Sequence, residues 1–449
     1  MATAPAISTS ERERLLATFP DVFQRSFMQR FGLAIGATLT LIYLTICFFA
    51  FNVGPAFMEG RWDRAAIYLQ DWYSWRAQPR LRFESDGTVR VQWSSRGQYP
   101  ADAYIFWLQP MQDGGYSVTY GSERDRIDVT PSLVQIYVNG EAWPVTITAD
   151  AATAPPGVPP SIVQDGNKVI VDYGFQGSAE IRTNQVFVQR RFLGWANFLF
   201  DTQSVFWGKS YGELLALAIY QPRIDPERSN LSYMVDDFLG NKVWQHADIL
   251  SKLLQTIVMA FVGTLMATVV AFPLAFVAAR NITRNRVANW GMKRFFDFLR
   301  SIDMLIWALL FTRSFGPGPI PGIAAIFFTD SGALGKVYAE ALENVDDRQR
   351  EGVKSVGASP AVVQRYGVVP QVLPVFISQS LYFWESNTRS ATIIGAVGAG
   401  GIGLKLLEAM GTNADWDKVA YMVLLILLVV FLFDNISTAI RQRLVGPQH

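Results

Sequence analysis

The chain has 449 residues, with 39 basic and 38 acidic side chains and a net charge of +1. That balance excludes a polyanion binder, which needs a basic excess, while one cysteine (Cys47) and two histidines (His246, His449) exclude an intrachain disulfide, a cysteine-based zinc site and a His-rich metal site. Half of the residues are hydrophobic and 17% are charged, against about 25% in soluble domains, so membrane and water-exposed segments are expected in one chain.

Residues 1–30 are polar, with Arg12, Arg14, Arg25 and Arg30, and read as a cytoplasmic N-terminus. Phe31 to Met58 carries no charge. A span needs about 20 apolar residues, so 31–58 reads as the first transmembrane helix. It is too long, and starts too late, for the core of a cleaved signal peptide. From 59 to 190 the texture changes to short alternating runs. Arg82–Trp93 turns at Asp86-Gly87, and Tyr104–Leu108, Tyr116–Tyr120, Leu133–Val138, Val145–Thr148, Lys168–Tyr173 and Ala179–Gln189 follow. Asp113-Gly114-Gly115, Asn139-Gly140 and Asp165-Gly166 supply hairpin turn chemistry between them. An all-β sandwich or barrel of about seven strands is expected, with the Pro-rich stretch 154–160 as a loop. Trp72, Trp75, Trp93 and Trp107 fit its core better than a ligand box.

Residues 191–252 are transitional. Phe192, Trp195, Phe198, Phe200, Phe206, Trp207 and Tyr211 suit a membrane–water boundary, and packing against the β domain suits them equally. Ser232–Lys252 reads as one amphipathic helix near that surface. Beyond it, 253–440 reads as a membrane domain. Leu253–Ala279 is a second uncharged run, and spans at about 301–316, 320–342, 368–388 and 418–438 follow. The weaker spans hold Asp303, Arg313, Asp330, Lys336 and Glu340. A charge in a lipid-facing helix costs about 2.5–3.5 kcal/mol, so these helices must face each other or a wet path.

Six spans with the N-terminus inside place the basic loop 280–300, the loop 344–367 and the tail 441–449 with Arg441 and Arg443 in the cytoplasm. The loops near 315–321 and 390–417 and the β domain then face outside. The expected fold class is an α-helical polytopic membrane protein of about six spans with an inserted extracytoplasmic all-β domain.

Two motifs mislead. Gly398-x-Gly400-x-x-Gly403 matches a dinucleotide fingerprint, but that motif works between a strand and a helix, and here it lies between spans. Its glycines fit close helix approach or a bent backbone. Gly332–Lys336 ends in Gly-Lys without matching the phosphate loop. The informative segment is Glu351-Gly352-Val353-x-x-x-Gly357, then nine residues, then Gly367-x-Val369-Pro370. A short helix carrying Glu351 and Lys354, broken near Gly357 and Ser359-Pro360, makes a rigid knob.

This segment resembles the coupling loop of binding-protein-dependent ABC importer permeases, E-A-A-x3-G-x9-I-x-L-P. Glu351, Gly357 and Pro370 match; Gly352 and Val353 replace the alanines, Gly367 the isoleucine and Val369 the leucine. Tyr366–Pro374, Tyr382-x-x-Glu385-Ser386-Asn387-x-Arg389-Ser390-Ala391-Thr392 and Gly398–Gly403 sharpen the likeness to the phosphonate (PhnE-type) importer permeases, with phosphite permeases close. It covers about 230–445; the β domain is an insertion on which it is silent. The resemblance implies a type I importer permease. It implies a second permease subunit (a copy or a shorter paralogue), two ATPase subunits that hold ATP and Mg, and a periplasmic phosphonate-binding protein. No cofactor on this chain and no nucleic-acid partner are implied. It assigns ATPase coupling to Glu351, Lys354, Gly357, Pro360, Gly367 and Pro370.

For the substrate pathway the residues themselves offer Glu385, Asn387 and Arg389, expected at the outer end of a span, where polar groups are costly. Arg389 suits phosphonate oxygens; an i,i+4 ion pair with Glu385 is the competing role, and the two are compatible. Arg313 beside Gly316-Pro317-Gly318-Pro319 is a further vestibule candidate. Ser386, Ser390 and Thr392 offer hydrogen bonds or helix–helix contacts. The rival function is a membrane-anchored receptor whose β domain binds a ligand or partner. An enzyme is disfavoured, because no nucleophile–base pair or metal-ligand cluster is visible. For the β domain a partner-docking or gating role is expected.

Overall fold

A computed structural model describes residues 18, 27–60, 62–93, 105–130, 132–412 and 416–445; Arg12, Arg14, Arg25, Tyr104 and His449 lie outside them. The chain divides into two units, Met1–Ile67 and Tyr68–His449. The first unit contains helix α1 (Phe27–Ala50) and the short α2 (Val53–Met58). The single helix expected over 31–58 is therefore interrupted. Asn52 adopts the left-handed conformation at φ 50° and caps α2 instead of continuing α1. Helix α3 (Trp62–Asp71) runs across the division.

In the second unit the expected all-β domain is present, with thirteen strands among the described residues in place of about seven. They form two antiparallel sheets. One has the order β10 (Ile162–Asp165), β11 (Lys168–Asp172), β12 (Gly177–Ile181), β13 (Gln185–Leu193), β2 (Arg80–Phe83), β3 (Val89–Gln92), with β1 (Ser74–Ala77) also on β13. The other runs in sequence through β4 (Leu108–Pro110), β5 (Tyr116–Tyr120), β6 (Ser122–Val129), β7 (Val134–Val138), β8 (Glu141–Ile147) and β9 (Ala152–Thr153). The miscount has three causes: β1 and β9 are too short to show alternation, β6 opens on the polar run Ser122–Arg126, and the run 179–189 holds parts of two strands, β12 and β13. Turn chemistry places the hairpins where it must. Asn139 and Gly140 both take positive φ, 54° and 91°, the pair needed for a tight turn matching strand twist. Leu81, Val118, Ile127, Ile136, Val171, Ile181 and Val188 are fully buried between the sheets. Trp107 is buried and Trp75 and Trp93 line the same core, whereas Trp72 is partly exposed.

Two helices, α4 (Tyr211–Ile219) and α5 (Asn230–Leu239), precede the long α6 (His246–Ala278). The continuous helix expected over Ser232–Lys252 is thus two elements. The chain turns through Gly240–Gln245, where Asn241 Oδ1 accepts from the backbone of Val243 and Trp244. The aromatic segment after β13 packs on helix ends. Trp195 and Phe198 lie against Trp244, Ile249 and Tyr421. His246 contacts the Phe198 carbonyl at 2.7 Å and the Tyr421 hydroxyl at 3.1 Å.

The remaining helices are α7 (Arg286–Ser301), α8 (Met304–Phe315), α9 (Pro319–Glu343), α10 (Asp347–Ser355), α11 (Pro360–Val363), α12 (Val369–Ile394), α13 (Gly401–Gly411) and α14 (Trp416–Val445). Among the described residues three helices, α1, α6 and α14, are long and apolar enough to cross a membrane, or four with the bent pair ending in α13. The six spans expected are therefore only partly met. Helix α8 has 12 residues, about 18 Å at 1.5 Å each. Helix α9 is long enough but carries Asp330, Lys336, Glu340 and Glu343. Three of them find partners inside the protein: Lys336 pairs with Asp297 of α7 at 3.0 Å, Glu343 with Lys293 of α7 at 2.8 Å, and Asp330 meets Asn387 of α12, while Glu340 is exposed. Asp303 is likewise accounted for as the N-cap of α8, accepting from Leu305 N at 2.8 Å.

Candidate functional site

The segment between α9 and α12 is built by local chemistry. Asp346 caps α10 by accepting from Arg348 N, and Arg350 pairs with Asp347 at 2.8 Å. Gly357, at φ 80°, ends the helix region, and Ser359-Pro360 starts α11. No residue of α10 is buried. Glu351, Lys354, Gly357 and Pro360 are all exposed, and so are Val356 (82%) and Tyr366 (62%). Gly367 is buried in the π-turn before α12, and a Cβ there would stand 3.3 Å from Arg350 Cα. The missing side chain lets α10 lie directly on that turn. Arg350 also reaches the Asn281 carbonyl at 3.4 Å. Pro370 occupies the first turn of α12, where its missing N–H costs nothing.

Gly352 stands in mid-helix with open space around its Cβ position. Gly352→Ala is therefore expected to stabilise α10 by about 1 kcal/mol. Amide exchange across 347–355 should slow about fivefold, and faster exchange would contradict this local geometry.

The pathway candidates on α12 divide between two faces. Glu385 is buried, and accepts an ion pair from Arg441 of α14 at 3.0 Å and from Arg389 at 3.5 Å. Arg389 is 49% exposed at its side chain, so most of its donors remain open. Asn387 turns to the opposite side, where its Nδ2 donates to Thr264 Oγ1 of α6 at 2.7 Å and to Asp330 Oδ2 of α9 at 2.5 Å. Asn387, Thr264 and Asp330 are each 3% exposed or less. Glu385 and Asn387 therefore do not form one site. Asn387 is a three-helix tie, and Glu385 with its arginines is a second cluster.

The expected position of Glu385 at the outer end of a span is corrected as well. Helix α12 runs on to Ile394, and Glu385 lies inside it beside Arg441. Arg441, assigned to a polar tail, belongs to α14. Ser390 donates within the helix to Ser386 O at 3.3 Å; Ser386 and Thr392 are half-buried. Arg313 is exposed in the last turn of α8 and has no ion-pair partner among the described residues.

Beyond α12 the glycine run bends the chain by 59° into α13. Gly398, Gly400 and Gly401 take positive φ of 103°, 81° and 69°. A Cβ on Gly403 would fall 1.9 Å from the Thr392 carbonyl oxygen. Close backbone approach, and no βαβ unit, is what these glycines serve.

Three participants escaped the sequence reading: Asp330 as a specific partner, Thr264 and Arg441. The one available signal was an acid inside the otherwise apolar start of α9.

Residues 271–446 match the family of binding-protein-dependent transport system inner membrane components. The chain is 38% identical to a putative phosphite transport system permease (HtxC) of Stutzerimonas stutzeri over 42% of this chain and 66% of that protein. It is 36% identical to the phosphite transport permease PtxC of the same organism, over 47% of this chain and 74% of that one. A putative cryptic phosphonate transport system permease of Escherichia coli is 40% identical over 27% of this chain and 98% of its own length.

Proposed function

The chain belongs to the family of binding-protein-dependent transport system inner membrane components, and from that premise we propose that it moves phosphonate, phosphite or a related phosphorus oxyanion across the cytoplasmic membrane by alternating access. It is a multi-pass permease subunit and not an enzyme. ATP and Mg are held by two partner ATPase subunits, a second permease subunit completes the pathway, and a binding protein delivers substrate. Both termini lie in the cytoplasm and the β domain lies outside, which puts Arg280, Arg284, Arg286, Lys293 and Arg294 on the inner side.

What carries the coupling role is α10: a capped helix with no buried residue, anchored through Arg350 to Gly367 and Asn281, presenting Glu351 and Lys354 outward beside exposed Val356. A rigid knob of this kind transmits movement of a motor subunit to the start of α12. Helix α12 in turn carries Arg389, whose open guanidinium suits a phosphorus oxyanion passing the bundle. Transport needs brief contact, so affinity resides in the binding protein, and Arg389 stays half-committed to Glu385. The aromatic strap from Trp195 to Phe198 ties the exit of the β domain to the starts of α6 and α14, which suits a docking or gating role for that domain.

The test is uptake by the assembled transporter carrying Glu351→Ala. Membrane insertion at wild-type abundance with at least about tenfold lower ATP-driven phosphite or phosphonate uptake is expected, the loss typical of one interface anchor. Uptake at the wild-type rate would remove α10 from the coupling path.

A further inference from the structure

The turn between α6 and α7 holds a feature that the transport reading does not use. A cavity of about 440 Å³ is lined by Arg280, Arg284, Arg286, Lys293, Arg294 and Trp290. Five cations converge there, and one carboxylate, Glu343, reaches the edge by accepting from Arg280 N at 2.8 Å. Lys293 is partly neutralised by Glu343 at 2.8 Å, and Arg294 by Asp297 at 3.1 Å. Arg284 and Arg286 are exposed and have no ion-pair partner among the described residues. The N-terminal amides of α7 are already occupied: Asn285 Oδ1 accepts from Val287 N and Ala288 N at 3.0 and 3.2 Å. An anion here is thus recognised by side chains rather than by a helix end.

The same helix carries an apolar stripe on its outer side. Val287 is 77% exposed, Trp290 63% and Phe298 56%, at spacings of three and eight residues that share one face. Its opposite side, with Phe296 and Leu299, is buried against Gly332 and Gly335 of α9. A charged pocket continuous with an exposed apolar stripe, with an indole at the boundary, has the chemistry of the membrane–water interface.

We propose that this pocket binds the phosphate headgroup of an anionic phospholipid of the inner leaflet, with the acyl chains laid along Val287, Trp290 and Phe298. A phosphate diester satisfies the unpaired Arg284 and Arg286, which offer planar forked donors, and the stripe excludes a fully hydrated solute. The proposal rests on the orientation above only in placing 280–300 at the cytoplasmic face.

The test is native mass spectrometry of the full chain with phosphatidylglycerol or phosphatidylcholine added. Wild type should retain phosphatidylglycerol preferentially. Arg284→Gln with Arg286→Gln should weaken it about 25-fold, roughly fivefold for each juxtamembrane cation, and leave phosphatidylcholine unchanged. Arg223→Gln, an exposed cation elsewhere, should change neither. Equal retention of both lipids, or displacement of phosphatidylglycerol by inorganic phosphate at equal concentration, would overturn the lipid assignment. So would a double variant that sheds the ATPase subunit while binding lipid normally, since that makes the patch a protein interface. Labelling of Arg284→Cys, in a Cys47→Ser background, by an impermeant maleimide from outside would sink the orientation instead.

Discussion

Gly403→Ala is expected to unseat α13 and destabilise the bundle by about 3–5 kcal/mol, at the severe end of single substitutions. The added Cβ would lie 1.9 Å from the Thr392 carbonyl oxygen, 2.9 Å from its carbon and 3.0 Å from Ala396 N. All three are backbone atoms, so no rotamer change relieves the contact and one helix must move away from the other. The same bend is crowded at Gly395, whose Cβ would meet Gly400 O at 2.5 Å, so the shift has little room to dissipate. Gly411→Ala, on the last residue of α13 with nothing within 4 Å of its Cβ, is the control and should be neutral. Thermal unfolding in detergent reads the difference. A Gly403→Ala protein as stable as the Gly411→Ala control would mean that α13 is not seated on α12.

The second large effect concerns the acid in α12. Glu385→Ala is expected to cost about 3–5 kcal/mol, because it strands the largely buried guanidinium of Arg441. Arg389 contributes less to that loss, since its contact with Glu385 is longer, at 3.5 Å, and its side chain is 49% exposed. The prediction separates an ion-pair role from simple packing. Arg441→Met alone should also be costly, since it leaves Glu385, 7% exposed at its side chain, with only Arg389 at 3.5 Å, and Glu385→Ala combined with Arg441→Met should be markedly more stable than Glu385→Ala alone. Strictly additive losses in chemical unfolding would show that the two residues do not interact. In transport the two arginines should part company: Arg441 acts on stability, and Arg389 on uptake.

The features readable along the chain are those whose causes lie within a few residues. The knob of α10 needs only Asp346 as cap, Gly357 at positive φ and Pro360 as a start, so its existence is written locally. The hairpins of the β domain follow from Asn139-Gly140 and similar turns, and the apolar runs of α6 and α14 announce themselves by length alone.

The strand count failed in part because β1 and β9, four and two residues long, hold too few repeats of the two-residue period to reveal it. The placement of Glu385 failed for another reason. The composition of Glu385, Asn387 and Arg389 shows a polar cluster, but which face each takes depends on neighbours far away in sequence. Arg441 lies 56 residues from Glu385, Thr264 lies 123 from Asn387, and Asp330 lies 57 from it. A charge within an apolar run states that it requires a partner, because leaving it unpaired in a dry interior is prohibitive. It does not state which one.

Sequence alone therefore determined the kinds of segment, their order and the short helix α10, since propensity, turn geometry and burial of apolar length are local or additive quantities. Only the tertiary structure decided that α12 presents an ion cluster to α14 and a hydrogen-bonded tie to α6 and α9, because helix rotation and crossing are set by packing between distant elements.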